Sequence, residues 1–441
     1  MGVMHNVIWL LVLIGVMILI HELGHFWAAR YFDVKVEVFS FGFGPRLFGF
    51  RRGETDYRFS GLLFGGYVKM AGEQPGEEEG SDPRGLMAKP KWQRLIIAFA
   101  GPFMNIVLAV ALLTGLFMAQ YQTVAEADQR APIAHVSKDS PAAKAGLNEG
   151  DRIVEIEGEK NPTWEDISFK EIASASRPMH VTVERGGSRF ETTVTPVLDE
   201  RSGVGYAGWS ENAQILVGKL SPGMPAEKAG VKQGDILVSA NGQPINSTFK
   251  LQEVISKADG KQVELRIERH GKQETIQAQP VMSNVDGQSR WVIGVLLDPK
   301  LNIVTTKLSF PAALQESVRQ NMKGASMIVQ FLKGILERRM SAKQLQGPIG
   351  MATLSGEAAK EGPSAFVRLM SVVSLNLAIF NLLPIPILDG GVILLLLVEM
   401  LIGRDLSMPV KEAVIKVGFV FLLVVTVFAV YNDISKILPP G

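Results

Sequence analysis

The sequence has no cysteine. That absence removes disulfides, thiolate metal ligands, iron–sulfur clusters and a cysteine nucleophile, and it leaves the redox compartment open. Charge is also scarce, at 20% of 441 residues. Forty-five basic against 44 acidic side chains leave a net charge of +1, so no basic surface for nucleic acid is implied. Histidine occurs only six times. Apolar residues, by contrast, make up 47% of the chain, which excludes a disordered protein and fits one lying partly in lipid. The length allows about three domains.

A bilayer core about 30 Å thick is crossed by about 20 mostly apolar helical residues. Four stretches qualify: Asn6 to Ala29, Leu95 to Ala125, Leu369 to Leu388 and Ala413 to Tyr431. The apolar block Gly391–Val398 is capped early by Glu399 and Arg404 and reads as a short buried or interfacial helix. Basic residues follow the first span (Arg30, Lys35, Arg46), precede the second (Lys89, Lys91, Arg94) and separate the third from the fourth (Arg404, Lys411). By the positive-inside rule, 30–94 and 389–412 are cytoplasmic, while both termini and the 126–365 segment are periplasmic. The first run lacks a basic leader and a small-residue cleavage site, so it is read as a retained span.

The predicted fold is therefore an α-helical polytopic membrane protein with a membrane-associated β-hairpin loop and two inserted α+β domains. Its expected parts are a first helix (1–30), a cytoplasmic or re-entrant β-loop region (31–94) and a second helix (95–121). Two repeats (122–212 and 213–302) and amphipathic membrane-surface helices (303–365) follow. A third helix (366–390), a short apolar helix and link (391–412), a fourth helix (413–432) and a tail (433–441) complete the chain.

The repeat is plain in the residues. Pro141-Ala-Ala-Lys-Ala-Gly-Leu-Asn-Glu-Gly-Asp151 returns 84 positions later as Pro225-Ala-Glu-Lys-Ala-Gly-Val-Lys-Gln-Gly-Asp235, and 141–158 matches 225–242 at nine of eighteen positions. Each copy reads as a short helix, a Gly-Asp turn, an apolar strand and a hairpin glycine. The pattern resembles the PDZ domains of bacterial envelope proteases, which add an extended peptide to a sheet edge. Val217-Gly218 is read as the second copy's peptide-binding turn.

Chemistry concentrates in His21-Glu22-Leu23-Gly24-His25. Histidines at i and i+4 lie one above the other on a helix face and can share one zinc, with the glutamate between them as general base. Here the motif interrupts a membrane span, where ionisable groups cost about 3 kcal/mol or more and mark function. A catalytic zinc needs a third protein ligand. His135, His180 and His270 fall in the external repeats and His5 lies about 24 Å along the helix, so the third ligand should be a carboxylate near a span. Asp389, in Asn381-Leu-Leu-Pro-Ile-Pro-Ile-Leu-Asp389-Gly-Gly, is the candidate, because its prolines break the helix and broken backbone at membrane depth lines cavities. Glu399 is the rival.

Adding Gly101-Pro102 and Asn105 of the second span and Asn381 through Asp389 of the third, the chain resembles the site-2 proteases, intramembrane zinc metalloproteases, and most closely their bacterial RseP type with a PDZ pair. The resemblance implies that His21, His25 and Asp389 bind zinc and that Glu22 is the base. It also implies that Asn381, with Asn376 and Asn105, holds substrate near the metal; interhelical hydrogen bonding is the competing role for the last two. The segment from Phe41 to Met70, with Gly65, Gly66 and Tyr67 in its last strand, reads as a re-entrant hairpin that lends a strand edge to an unwound substrate, against the alternative of a plain cytoplasmic hairpin. Expected partners are the lipid bilayer and single-span membrane proteins, such as anti-sigma factors in envelope stress and leftover signal peptides. The PDZ domains are expected to contact periplasmic peptides or substrate domains. The expected setting is the bacterial inner membrane, with the active site toward the cytoplasm. A PDZ scaffold with a non-proteolytic metal site competes, but a structural zinc needs no base such as Glu22. A zinc transporter would need more ligand-bearing spans.

Overall fold

A computed structural model describes residues 2–73, 82–125, 132–199, 203–285, 288–300, 302–341 and 346–437. The chain forms two compact units, one of Met1–Tyr121, Thr306–Val329 and Leu345–Gly441, the other of Gln122–Thr305 and Gln330–Gln344.

The first unit opens with helix α1 (Gly2–Tyr31), whose thirty residues give about 45 Å of length. Two long strands follow, β1 (Val36–Arg52) and β2 (Thr55–Met70). Both bend, so that their halves make a four-ribbon sheet in the order 66–70, 36–41, 55–60, 46–52. The glycine- and proline-rich stretch Phe41–Pro45 is thus a bend within β1, and the hairpin turn falls at Gly53-Glu54. Leu47, Phe48, Phe50 and Leu62 are exposed on this sheet. Such an apolar surface suits lipid and is costly in water. Helix α2 (Lys91–Ala119) is the centre of the unit and packs against α1.

In the second unit the copies fold alike. The first has β3 (Ile133–Val136), β4 (Arg152–Ile156), helix α3 (Trp164–Ala173), β5 (Met179–Arg185), β6 (Ser188–Val194) and β7 (Trp209–Glu211). β4, β5 and β6 form one antiparallel sheet, and β7 pairs with β3. The second has β8 (Gln214–Leu220), β9 (Ile236–Ala240), helix α4 (Thr248–Ala258), β10 (Val263–Arg269), β11 (Lys272–Ala278) and β12 (Val295–Lys300), in the sheet order β11-β10-β9-β8-β12. Alternating apolar residues such as Val181 and Val183, or Leu265 and Ile267, are fully buried, as half-buried strands require. Thr163 caps α3 and Ser247 caps α4. The turn aspartates are equivalent too. Asp151 receives Arg185 at 2.6 and 2.7 Å, and Asp235 receives Arg269 at 2.7 Å twice. In both copies the same guanidinium also donates to the helix-end glycine carbonyl, Gly146 or Gly230.

Val217-Gly218 does not form a turn. It lies inside β8, paired on one side with β9 and on the other with β12, and the side chain of Asp298 crowds Gly218. The strand at the sheet edge beside β8 is β12, which comes from the far end of the copy.

The chain then re-enters the first unit. Helix α5 (Phe310–Leu336) is amphipathic, as its mixed Met/Ile/Lys/Glu pattern predicts. Helices α6 (Pro348–Glu361), α7 (Pro363–Asn381), α8 (Asp389–Ile402) and α9 (Met408–Ile437) follow. α1, α2, α7 and α9 are long and apolar enough to cross a membrane, whereas α8, at about 21 Å, is short of the ~30 Å core. Two expected boundaries move. The second helix stops at Ala119 because Tyr121–Val124 is a strand. The third runs from Pro363 and ends at Asn381, since Pro384 and Pro386 lack the donors a helix would need. α7 is stitched to α2 by Ser371 and Ser374, whose hydroxyls donate to the Ala109 and Asn105 carbonyls.

Removing one partner of a buried ion pair strands the other. Asp235→Ala should cost about 2–4 kcal/mol, since Arg269 keeps Glu274 and the Gly230 carbonyl. Hydrogen exchange of β9 and β10 in the whole chain measures this, and unchanged protection would deny the pair its role.

Candidate metal centre

The site is assembled from the middle of α1 and the first residue of α8. His21 and His25 are one turn apart, and their Nε2 atoms lie 3.2 Å from each other. Asp389 reaches both, with Oδ2 3.1 Å from His21 Nε2 and Oδ1 3.5 Å from His25 Nε2. Both histidines are more than nine-tenths buried. Sequence reasoning named these three groups separately, and the fold brings them together.

Asp389 is presented by an irregular loop. The chain leaves α7 after Asn381, turns through Pro384 and Pro386, and passes Ile387 at φ +87°. That backbone conformation is strained for a β-branched residue, by about 1–3 kcal/mol, and such strain persists only where the surroundings enforce it. α8 then starts at Asp389, which places a carboxylate at the positive end of a helix dipole.

The other side of each imidazole is also held. His25 Nδ1 donates to the Ile97 carbonyl of α2 at 2.8 Å, which leaves Nε2 as the ligand atom. His21 Nδ1 faces the Asn105 amide at 3.2 Å. The near atom is the amide nitrogen Nδ2, and the Asn105 amide oxygen is buried without a partner among the described residues. α2 comes this close because residue 101 is glycine: a β-carbon there would meet His25 Nε2 and lie 2.8 Å from His21 Nε2. The role of Gly101 was hidden in the sequence, where only its Gly-Pro setting within an apolar span set it apart.

The donor set fits zinc. Tetrahedral zinc with nitrogen and oxygen ligands has ligand-to-ligand edges of about 3.3–3.5 Å, and the three separations here are 3.1, 3.2 and 3.5 Å. Two ring nitrogens and a carboxylate facing one another in an apolar setting need a cation between them. Oδ2 of Asp389 is buried without a well-formed hydrogen bond. Glu22 shares the helical turn with the two histidines, and a β-carbon on Gly66 would lie 3.4 Å from its Cγ.

The remaining candidates separate. Gly66 and Tyr67 pair with Phe41 and Ser40, so 66–70 is bonded on one side and forms an edge of the hairpin sheet. Gly65 is buried against the Phe43 ring, and the Tyr67 hydroxyl accepts from Arg58. Asn105 is fully buried against His21. Asn376 and Asn381, on the last turns of α7, are half-buried, and their side chains make no hydrogen bond among the described residues. Glu399 is far down α8 and takes no part: Lys411 lies 2.8 Å away, Arg94 3.8 Å, and the Leu406 N–H donates to it. An apolar cleft of about 720 Å³ opens between α1 and the hairpin, lined by residues such as Leu11, Val12, Phe41 and Phe59.

Residues 9–425 match the family model of peptidase family M50. A Xylella fastidiosa protein named "Putative zinc metalloprotease" is 32% identical over 97% of this chain and 98% of its own length. The "Regulator of sigma-E protease RseP" of Salmonella typhimurium is 28% identical over 99% of this chain and 100% of its own. Among solved structures, a PDZ domain of a Listeria monocytogenes protein is similar over 19% of this chain and 87% of its own, at 19% identity and a TM-score of 0.18.

Gly101→Ala should push a methyl group into the imidazole pair and weaken zinc binding about 10–100-fold, the usual effect of disturbing a ligand's support. Metal content by mass spectrometry, with helicity as the control, reads it; full zinc occupancy would show that α2 does not press on the cluster.

Proposed function

The chain belongs to peptidase family M50, the site-2 metalloproteases, and from that premise we propose that it hydrolyses peptide bonds within the transmembrane segments of single-span membrane proteins. Its cofactor is zinc, and proteases of this family serve regulated intramembrane proteolysis. The observation that carries the proposal is that Asp389, from α8, meets His21 and His25, beside Glu22, on a helix long enough to span a bilayer.

His21, His25 and Asp389 are the residues that would hold the metal. Bound there, zinc supplies Lewis acidity, which makes water nucleophilic near neutral pH and polarises the scissile carbonyl. Glu22 takes the proton of the attacking water and passes it to the leaving nitrogen. The Ile97 carbonyl keeps His25 in the tautomer that ligates, and Asn105 holds the His21 ring in place. Asn376 and Asn381, with free side-chain amides among the described residues, are assigned to the substrate backbone.

A helix must unwind before its peptide bond can be attacked, and each amide left unpaired in lipid costs several kcal/mol, on the order of 4–8 in a fully apolar medium. The edge at Gly66–Met70 runs past Glu22 and can pair with an unwound strand. The apolar cleft between α1 and the hairpin suits the approaching helix. Basic flanks at Arg30, Lys91 and Arg94 favour a cytoplasmic position for the metal end of α1. The Salmonella relatives are named as regulators of sigma-E, which fits an anti-sigma factor in envelope stress as one substrate; remnant signal peptides are the other class we assign to the site.

Glu22→Gln in a reconstituted assay with a single-span substrate should lower cleavage about 10²–10⁴-fold while zinc content stays at one per chain. Asp389→Ala should lose both zinc and cleavage. Undiminished cleavage by Glu22→Gln would remove that residue from the mechanism.

A further inference from the structure

Among the positions at which the two copies of the external repeat differ, one faces the turn that leads into an edge strand. In the second copy, the turn Val292-Ile293-Gly294-Val295 leads into the edge strand β12. The Ile293 carbonyl accepts from Ala226 N–H and the Gly294 carbonyl from Ser221 N–H, both at 2.9 Å. In the first copy the same two bonds recur 84 positions earlier on the donor side, from Ala142 N–H to the Ala207 carbonyl (2.9 Å) and from Ser137 N–H to the Gly208 carbonyl (2.7 Å). Tyr206-Ala207-Gly208-Trp209 is therefore the equivalent turn, and Gly208 and Gly294 share a left-handed backbone at φ +88° and +80°. Outward amides in such a turn, beside an edge strand, form the place where a strand-adding domain captures a peptide's terminal carboxylate.

In the second copy no protein group among the described residues accepts from the N–H of Ile293 or Gly294. In the first, the amide is already occupied. Ala207 N–H donates to Glu171 Oε1 at 2.6 Å, and the Trp209 indole N–H donates to Glu171 Oε2 at 2.8 Å. Glu171 projects from α3, and the residue 84 positions later, on α4, is the buried core residue Ile255. We infer that Glu171 is a built-in stand-in for a peptide's terminal carboxylate, so that the first domain is closed to free chain ends and open only to ligands that bind elsewhere along it.

The surroundings agree with that role. Glu171 is partly buried, and no cation pairs with it among the described residues. On its own helix Lys170 pairs with Glu159, and from the neighbouring segments Arg177 and Arg339 both pair with Glu337, Arg339 also reaching the Ala173 and Ala175 carbonyls. Tyr206 directs its hydroxyl to Ser137. Burial lifts the Glu171 carboxyl to about 7, and the two N–H donors pull it down by less. The folded chain thus keeps a proton that the unfolded chain releases near 4.5. This group's contribution to stability is full below that value and is lost as pH rises through 7. A core that needed only packing would carry isoleucine here, as the second copy does. The inference rests on the strand-addition reading of the repeats, and the hydrolytic reading of the membrane site does not enter it.

The test uses the whole chain in detergent and two pools of photoreactive decapeptides, randomised except for a terminal valine, one with free carboxylates and one amidated. The wild-type chain should show background labelling at 205–211 with both pools. Glu171→Ile should gain at least tenfold labelling there, with the free-carboxylate pool only. Equal labelling by both pools, no gain, or strong labelling of wild type by free carboxylates would overturn the inference. A second measurement does not depend on how that variant folds. Hydrogen exchange at the Ala207 amide should speed up at least tenfold in Glu171→Ala at pH 8 while β5 stays protected; an unchanged rate would show that Glu171 is not its acceptor.

Discussion

Two imidazole nitrogens 3.2 Å apart, with a carboxylate closing the triangle, are a cost to any apolar interior unless a cation lies between them. Much of the membrane unit can be understood as the scaffold that enforces this approach. α2 presses its Gly101 backbone against both rings and anchors one of them at the Ile97 carbonyl. Ser371 and Ser374 fix α7 to α2, and α7 ends where the strained loop must start to bring Asp389 round. Zinc binding and the folding of this centre are accordingly one free-energy balance, as in other sites whose ligands come from distant segments.

Outside the metal site, charge on α2, α8 and α9 gathers toward the helix ends, where it can be answered. Glu399, 1% exposed, is met by Lys411, by Arg94 and by the Leu406 N–H, while Lys91 pairs with Asp405. These contacts join the end of α8, the start of α2 and the start of α9. At the other end of α9, Asp433 accepts from the backbone N–H groups of Gly347, Ile349 and Gly350, and so caps α6. Between those two ends α9 exposes Phe419, Val420 and Val424, residues that lipid solvates without penalty.

The repeat shows how a duplicated fold can keep its frame and change its contents. The Asp–Arg pairs, the helix caps and the glycine turns recur at a constant offset. They satisfy backbone groups that every copy must satisfy. The position of Glu171 and Ile255 is under no such demand and diverges. The offset of 84 places those two residues opposite each other, but only the fold shows that one faces a backbone amide.

Four apolar spans, a duplicated domain and the His-Glu-x-x-His helix were legible in the residues, because each rests on local periodicity or on repetition. Asp389 was legible by elimination, since the histidines ran out and prolines marked a break. Other features depended on long-range packing. The boundaries of α2 and α7, the place of Val217-Gly218 inside β8 instead of in a turn, the pairing of Asn105 with His21 and of Glu399 with Lys411, and the pressure of Gly101 on the rings all join residues distant in the chain. A sequence by itself determines which helices enter lipid and which side chains can ligate, since these follow from composition and spacing along one element. The tertiary structure decides which distant carbonyl, amide or glycine meets them, because a strand edge or a hydrogen-bond partner exists only once the chain has closed on itself.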